Sequence, residues 1–313
     1  MTIRNPAEWG LDQFRSAGVA LGSRSRTWHR AAEQAPGPLP IVRRIGAADL
    51  RDVLKRGFVD FGANRTDVIF LCVLYPVIGL VLAYAASGRE LLPLLFPLAS
   101  GFALVGPFAG LGLYEMSRRR ELGVDAGWTD VFRVLNSPSL GAIVCLGLLL
   151  TAILMIWLLL AYAIYRVTLG PLPPASILSF IHDVLATHVG WVMIVAGVCI
   201  GFLFALLVLV ISVVAFPLLL DRKATLDTAV ATSIRTAAAN PGPMALWGLI
   251  VTAGLVIGSI PLFVGLAIVL PVLGHSTWHL YRKLVVWQQP VTVTSSPGPD
   301  AAVVVPGSPA GRG

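Results

Sequence analysis

An all-α polytopic membrane protein is the fold class that this sequence predicts, on three observations. Hydrophobic residues make up 56% of the 313 residues and charged residues only 12%, whereas about a quarter of the residues in soluble domains are charged. Several long runs contain no Asp, Glu, Lys or Arg. A polar amphipathic stretch, a break with an Asn and a hydrophobic run follow one another three times, with breaks at Asn64, Asn136 and Asn240. The pattern predicts six transmembrane helices as three hairpins, each preceded by a cytoplasmic interfacial helix.

The number of spans follows from the charge-free runs, which cover residues 68–87, 91–114, 134–165, 184–220 and 236–281. A spanning helix needs about 20 apolar residues, so each of the first four runs holds one span. The fifth is too long, since residues 244–274 as one helix would reach about 46 Å. Gly258, Ser259 and Pro261 near its middle weaken a helix. We therefore expect a tight hairpin there, and six spans in all.

The distribution of cations predicts the orientation, because Lys and Arg near span ends mark the cytoplasmic side. With six spans, all but Arg89 and Arg166 of the 23 Lys and Arg residues fall on one face, together with both termini. The net charge of +7 is then a topology signal, and it requires no nucleic acid as a partner. The same basic face predicts contact with the lipid bilayer, including anionic headgroups.

Three regions are predicted along the chain. Residues 1–40, rich in Arg, Pro and Gly, form a disordered cytoplasmic arm, and residues 288–313 form a disordered cytoplasmic tail. Residues 41–287 form the six-span membrane domain.

The interfacial helices are predicted from apolar residues at helical spacing. The first carries Leu50, Val53, Leu54, Gly57, Phe58 and Phe61 opposite Arg51, Asp52, Lys55, Arg56 and Asp60. The second runs from Trp128 to Leu135 and the third from Ala229 to Ala237. A short amphipathic stretch with Ile177, Phe180, Ile181 and Val184 on its apolar side is expected to rest on the outer leaflet.

Several stretches resemble a known family. They are GFALVGPFAGLGLYEMSRRRELG at residues 101–123, RGFVDF at 56–61, ANPGPMALWGLIV from Ala239 and PVLGHSTWHLYRKLV from Pro271. Over about residues 41–287, the chain resembles a family of predicted bacterial integral membrane proteins catalogued as domain of unknown function 2189. The resemblance implies a bacterial cytoplasmic membrane and implies no chemistry.

Glu115, Asp221 and His279 lie near the ends of the even-numbered spans. If the three repeats converge, we expect these side chains to form a polar cluster at the cytoplasmic mouth of the bundle. A carboxylate at that depth is a functional candidate. However, Arg118 and Arg119, three and four residues after Glu115, also explain it as a helix-end ion pair.

His275 and His279 are four residues apart and would share one face of a helix. That spacing can hold a metal or one haem ligand, but a zinc site usually needs three or four protein ligands. The neighbouring Trp278, Tyr281 and Arg282 are typical of interfacial anchors. Anchoring is therefore the simpler interpretation, and metal binding is the alternative.

No Walker, GxSxG or HExxH motif occurs in the chain. The scarcity of ionisable groups in the hydrophobic runs argues against proton- or ion-coupled transport. We therefore expect a non-enzymatic protein without a cofactor, either a scaffold or assembly factor or a small permease-like unit, working with a membrane-protein partner or as a homo-oligomer. The alternative is a metal- or haem-binding redox accessory that uses His275 and His279. The expected location is the bacterial cytoplasmic (inner) membrane, with multiple passes and both termini cytoplasmic.

Overall fold

The computed structural model describes residues 40–63, 84, 91–124, 134, 137–170, 172–261 and 264–287. The predicted arm and tail, the first span and the second interfacial helix lie almost wholly outside these residues. The helices are α1 (Ala47–Ala63), α2 (Leu95–Ala109), α3 (Leu111–Glu121), α4 (Leu140–Thr168), α5 (Ile177–Ala186), α6 (His188–Ser212), α7 (Ala215–Asp221), α8 (Leu226–Ala239), α9 (Pro241–Ser259) and α10 (Leu266–Leu284), with a short 3-10 turn at Leu92–Leu94. Two short strands, β1 (Ile41–Val42) and β2 (Val285–Val286), complete the described elements.

The described residues contain three helices long and apolar enough to cross a membrane, namely Leu140–Thr168, His188–Asp221 and Pro241–Ser259. The second of these joins α6 and α7 through a turn at Val213 and Val214. The second predicted span is divided instead, because Gly110 separates α2 from α3. The chain is thus a largely helical membrane protein, while the count of six spans stays a prediction.

The long fifth run breaks where the sequence predicts it. α9 ends at Ser259, a turn includes Ile260 and Pro261, and α10 begins at Leu266. A Cβ on Gly258 would lie 3.1 Å from the backbone nitrogen of Leu266, and one on Gly254 would lie 3.1 Å from a methyl of Val269. These pairings run in opposite directions along the two helices, so α9 and α10 form an antiparallel hairpin whose turn is closed by glycines.

α1 packs along α10, which follows it by some two hundred residues. The contact is close because α1 has a glycine at the crossing. A Cβ on Gly57 would overlap the hydroxyl of Ser276 and lie 2.8 Å from the carbonyl oxygen of Val272. Just outside the two helices, β1 pairs antiparallel with β2, with Ile41 opposite Val286 and Val42 opposite Val285. This ladder is a small correction to the predicted all-α class.

Asn240, at the break between α8 and α9, holds the segment that leads into α1. Its side-chain oxygen accepts a hydrogen bond from the Ile45 amide at 2.9 Å, and its side-chain nitrogen donates to the carbonyls of Arg43 and Thr236, both at 3.1 Å. Asn240 is buried. The Asn of the third repeat therefore links two ends of the described chain.

The face that α1 buries differs from the predicted one. Leu50, Val53, Gly57 and Asp60 are buried, whereas Phe58 is exposed. The prediction placed Asp60 on the solvated face, and that placement was wrong, whereas Leu50, Val53 and Gly57 of the predicted apolar face are buried. The physical reason is that α1 packs on α10, whose polar side chains supply partners for a carboxylate where lipid could not.

The hydrophobic core lies mainly at the end of the molecule where α7, α8, α10 and the start of α9 meet α3 and α4. Its largest fully buried side chains are Trp247, Trp278, Tyr281 and Phe216. By contrast, only 6% of the most apolar window of His188–Asp221 is buried. Among the described residues, the protein is therefore packed tightly at one end and loosely along its most apolar span.

Candidate functional site

The packed end contains a polar region that we call the junction, formed by the C-terminal parts of α1, α3 and α10 and by α7. α10 contacts the other three helices, and α3 contacts α7. The last turns of α3 and α10 both carry cations. These are Arg118, Arg119 and Arg120 in α3, and Arg282 and Lys283 in α10. Cations are favourable at the negative end of a helix dipole. Neighbouring elements add carboxylates, so the helix ends are joined by ion pairs and hydrogen bonds.

The innermost part of the junction is a chain of four side chains from three helices. Ser117 donates a hydrogen bond to Asp60 Oδ2 at 2.7 Å, and His275 Nδ1 lies 2.7 Å from the same hydroxyl oxygen. His279 Nε2 lies 2.8 Å from Asp60 Oδ2. Because the Ser117 proton points to the carboxylate, the hydroxyl can only accept from His275, which assigns the proton of that imidazole to Nδ1. We call these four residues the buried polar chain.

The hydrogen bonds of the buried polar chain are strengthened by their shielding from water. Asp60 is 5% exposed, Ser117 1% and His275 0%, so little water competes for their hydrogen bonds. Arg120 adds a cation, with its Nε 3.4 Å from Asp60 Oδ1. Burial by itself opposes ionisation of Asp60. The hydrogen bonds from His279 and Ser117 and the charges of the two imidazoles outweigh it, so the pKa of the Asp60 carboxyl lies below its usual range.

A second group of contacts joins α3, α7 and α10 at the edge of the junction. Arg118 Nη1 donates to both carboxylate oxygens of Glu115, at 2.8 and 3.1 Å, and its Nε lies 3.8 Å from Asp221. The hydroxyl of Tyr281 donates to Asp221 at 2.8 Å, and Arg282 lies 3.8 Å from the same carboxylate. Asp221 therefore receives contacts from α3 and α10 together.

The remaining contacts tie the last turn of α10 to α3 and α1. Glu121 accepts hydrogen bonds from the Trp278 indole and from Arg282, both at 3.0 Å. Lys283 lies 2.9 Å from Asp49 and 3.0 Å from Asp52 on α1. A hydrogen bond from the Gly46 amide and the Lys283 ammonium hold the pKa of Asp49 below its usual range. These outer pairs are more exposed than the buried polar chain and so stabilise the fold less.

The structure brings together part of the predicted polar cluster. Glu115 and Asp221 lie on either side of Arg118, and the ion pair that the i to i+3 spacing predicts is present. His279 instead lies on Asp60 of α1. All three residues belong to the junction, and a functional role for them stays a prediction.

Both histidines of the predicted metal pair, His275 and His279, take part in hydrogen bonds to other side chains. His275 Nδ1 contacts Ser117 and His279 Nε2 contacts Asp60. Across the described ranges of the chain, no group of three or more His, Cys, Asp and Glu side chains is arranged to hold a metal ion. Metal binding by this pair stays a prediction.

Asp60 and Ser117 are the central residues that the sequence reasoning missed. The burial of Asp60 had a signal in the sequence, since it continues the series Leu50, Val53 and Gly57 at spacings of three and four residues. Ser117 lies within the SRRR stretch and gives no such signal. A small polar residue before a run of cations is usually solvated.

Chemically, the buried polar chain directs hydrogen bonds from Ser117 and His279 at the Asp60 carboxylate, while His275 donates to Ser117. The four residues lie against one another and do not line a cleft. A shallow groove among the described residues lies elsewhere, beside α8, and is lined by Pro40, Ile41, Val42, Arg235, Ala238 and Ala239. The geometry of the junction is suited to holding the ends of α1, α3, α7 and α10 together.

Comparison with known proteins supports the membrane assignment. Residues 95–221, which run from α2 to α7, match the family described as "Predicted integral membrane protein (DUF2189)". The match confirms the resemblance over that segment, which contains Glu115, Ser117, Arg118 and Asp221 of the junction. No curated protein and no solved structure matches the chain.

Proposed function

We propose that this chain, whose residues 95–221 match a family of predicted integral membrane proteins, is a non-enzymatic scaffold or assembly factor that holds other membrane helices beside its own. In this proposal the junction fixes the ends of its helices, and the apolar sides of its spans take the partner. The proposed setting is the bacterial inner membrane, with six spans and both termini on the cytoplasmic side.

One observation carries the proposal, which is the contrast between the two ends of the α6–α7 helix. At its C-terminal end, α7 is buried and Asp221 is bound from α3 and α10. Along α6, Val195, Val198 and Phe202 follow one face, and each is more than half exposed among the described residues. A helix that is fixed at one end and exposed along its length offers a rigid apolar surface in the bilayer. Such surfaces associate with other helices through close packing.

Photo-crosslinking along α6 tests this proposal. A photoreactive amino acid at Phe202 on the exposed face, in the full-length protein in native membranes, is expected to give protein adducts of discrete mass. Val208, which is buried on the same helix, is the matched control and should give none. Adducts to lipid alone at Phe202, or equal adducts all around the helix, would contradict a scaffold.

A small permease-like unit is the rival within the same class of membrane proteins. Alternating access requires helix ends that separate and close again, whereas the junction binds them through buried groups. A specific uptake defect in a deletion strain, rescued by the gene, would favour the permease and overturn the scaffold.

The redox accessory would need His275 and His279 to leave Ser117 and Asp60 for a metal or a haem. The optical spectrum and metal content of the purified protein, beside those of His279→Ala, decide this alternative. A stoichiometric metal or a haem band that the variant loses would establish it. A colourless, metal-free protein favours the scaffold.

The proposed topology has its own check, because six spans place the end of α10 on the cytoplasmic side. A reporter fused after Lys283 should read as cytoplasmic. An external reading would exclude the six-span arrangement without bearing on the scaffold role.

A further inference from the structure

α5 lies at the end of the molecule opposite the junction. α4 starts beside α7, where the Ser139 hydroxyl donates to the carbonyl of Arg222 at 3.0 Å. Its 29 residues extend about 43 Å from there, α5 follows, and α6 returns to the junction. The three helices therefore place α5 near the far surface of a bilayer, whose hydrocarbon core is about 30 Å thick.

Three contacts hold α5 firmly on the α4–α6 pair. The end of α5 presses on Gly190, where a Cβ would overlap the carbonyl oxygens of Asp183 and Val184. The Trp191 indole donates to the Leu185 carbonyl at 3.0 Å. The Phe180 ring meets Tyr165 edge-on, with 6.3 Å between ring centroids. A capping box between Ser176 and Ser179 fixes the start of the helix.

These contacts turn α5 differently from the sequence prediction. Of the predicted apolar side, Ile177 and Ile181 are exposed, whereas Phe180 and Val184 face the protein and are partly buried. Ile181 shares one side of the helix with Leu178 and Leu185, which are also exposed, Leu178 to 78%. The apolar side that faces outward is thus turned from the predicted one.

We propose that the Leu178–Ile181–Leu185 face of α5 inserts into the lipid leaflet at this end, and that α5 is a fixed membrane-surface anchor. Lipid is favoured over a protein partner, because α6 begins three residues after Leu185 and also exposes apolar side chains, at Val189 and Val192. That surface belongs to a candidate membrane span.

Residues beside α5 match the level of a lipid headgroup. Trp191 is exposed next to the helix end, and Tyr162 carries the Arg166 guanidinium 5.7 Å from its ring centroid. Tyr, Trp and Arg are typical of the membrane interface. α5 itself contains no Lys or Arg and has one carboxylate, Asp183. The insertion is therefore hydrophobic and takes zwitterionic phospholipid as well as anionic phospholipid.

Nitroxide accessibility tests the proposal in the full-length protein, placed as single copies in nanodiscs of phosphatidylcholine. Cys72, Cys145 and Cys199 are replaced by Ala, and a spin label is attached at Leu178→Cys or, as the control on the polar side of α5, at Asp183→Cys, whose side chain is also exposed. The label at position 178 should collide with oxygen and lose access to a water-soluble relaxant, whereas the label at position 183 should keep that access. Each labelled protein must melt as the unlabelled parent does.

Equal access of the water-soluble relaxant to both positions would overturn the proposal, because α5 would then lie in water. Protection of position 178 from oxygen and the water-soluble relaxant alike would also overturn it, since protein would then cover the face. Insertion that appears only when phosphatidylglycerol is added would contradict the hydrophobic mode. The scaffold role is separate, because it depends on α6 and the junction.

Discussion

α10 and α6 are both helices of the predicted even-numbered spans, yet they are packed in opposite ways. α10 carries His275, Ser276 and His279 among its apolar residues, and most of its second half is buried against α1, α3 and α7. α6 is almost purely apolar, and few of its residues are buried among the described ones. The less apolar helix therefore has the better protein packing.

This difference shows which residues of a membrane protein promote packing between its helices. Moving apolar surface from lipid to a protein contact lowers the free energy only a little. Giving a polar side chain a hydrogen-bond partner lowers the free energy much more. Residues such as Asp60 and His275 therefore mark where protein packs on protein, and uninterrupted Leu, Val and Phe mark where it does not.

The largest effect is expected from Asp60→Asn, which removes the charge at the centre of the buried polar chain. The substitution leaves His279, Ser117 and Arg120 facing a neutral amide. Breaking a buried charged pair costs about 3 kcal/mol or more. The free energy of unfolding in mixed micelles should fall by that amount. Asp52→Asn, an exposed position on the same helix, should cost less than about 1 kcal/mol.

The pH dependence of the same pair of proteins sharpens this test. The pKa of Asp60 is lowered in the folded state, so its contribution is complete above its unfolded value of about 3.9. The contribution is lost as pH falls through that value towards the native pKa. Melting temperatures of the wild-type protein and Asp60→Asn should therefore differ at pH 7 and approach each other below about pH 4. A constant difference down to pH 3 would contradict an ionised Asp60.

The crossing of α1 and α10 is tested by Gly57→Ala. The added methyl would overlap Ser276 and press on the backbone of α10, so the helices must separate. Overpacking of this kind costs about 2 to 3 kcal/mol. In the control Gly62→Ala, on the same helix, the methyl meets nothing within 4 Å and should be neutral or slightly stabilising. Equal melting temperatures for the two variants would show that α1 does not dock as described.

A smaller and more local effect is expected from Asn240→Ala, which removes three hydrogen bonds around the segment before α1. The loss is about 2 kcal/mol, because the backbone groups of Arg43 and Ile45 lose their partner. Hydrogen exchange should become faster at the Ile45 amide and in the β1–β2 ladder. Thr252→Val removes an exposed hydroxyl on α9 and should leave that exchange unchanged. Unaltered exchange in Asn240→Ala would mean that Asn240 does not hold this segment.

The smallest effect is expected from Arg118→Gln at the edge of the junction, where Arg118 contacts Glu115 and Asp221. Its side chain is 32% exposed, so water offsets much of the interaction, and the loss is about 1 kcal/mol. Arg56→Gln removes an exposed pair with Asp52 and should cost only a few tenths of 1 kcal/mol. If Arg118→Gln lowered the free energy of unfolding as much as Asp60→Asn, the contacts at the edge of the junction would stabilise the fold as much as the buried polar chain does.

Local features of the fold could be predicted from the sequence. Charge-free runs identify α4, α6 and α9, since length and composition decide what can cross a bilayer. The break before α10 follows from Gly258, Ser259 and Pro261, because each of them weakens a helix by itself. The Glu115–Arg118 pair follows from its spacing on α3. These predictions need only neighbours in the chain.

The rest of the site could not be predicted, because it depends on which helices meet. The spacing of Asp60 places it in line with Leu50, Val53 and Gly57, but a carboxylate is expected in water until the helix that supplies its partners is known. The orientation of α5 likewise depends on Tyr165 and Gly190, which belong to other helices. Sequence patterns define a helix face, but its partner comes from tertiary packing.

The pairing of α1 with α10 has a consequence for the order of folding. Asp60 and His279 are separated by 219 residues, and Asp49 and Lys283 by 234. During synthesis α1 leaves the ribosome long before α10 exists, so its Asp60 must stay solvated while the intervening helices enter the membrane. α10 completes the buried polar chain, and contacts so distant in sequence form slowly. The closure of α1 on α10 therefore waits until α10 has been made, and a chain truncated before α10 would keep α1 as a substrate for quality-control proteases.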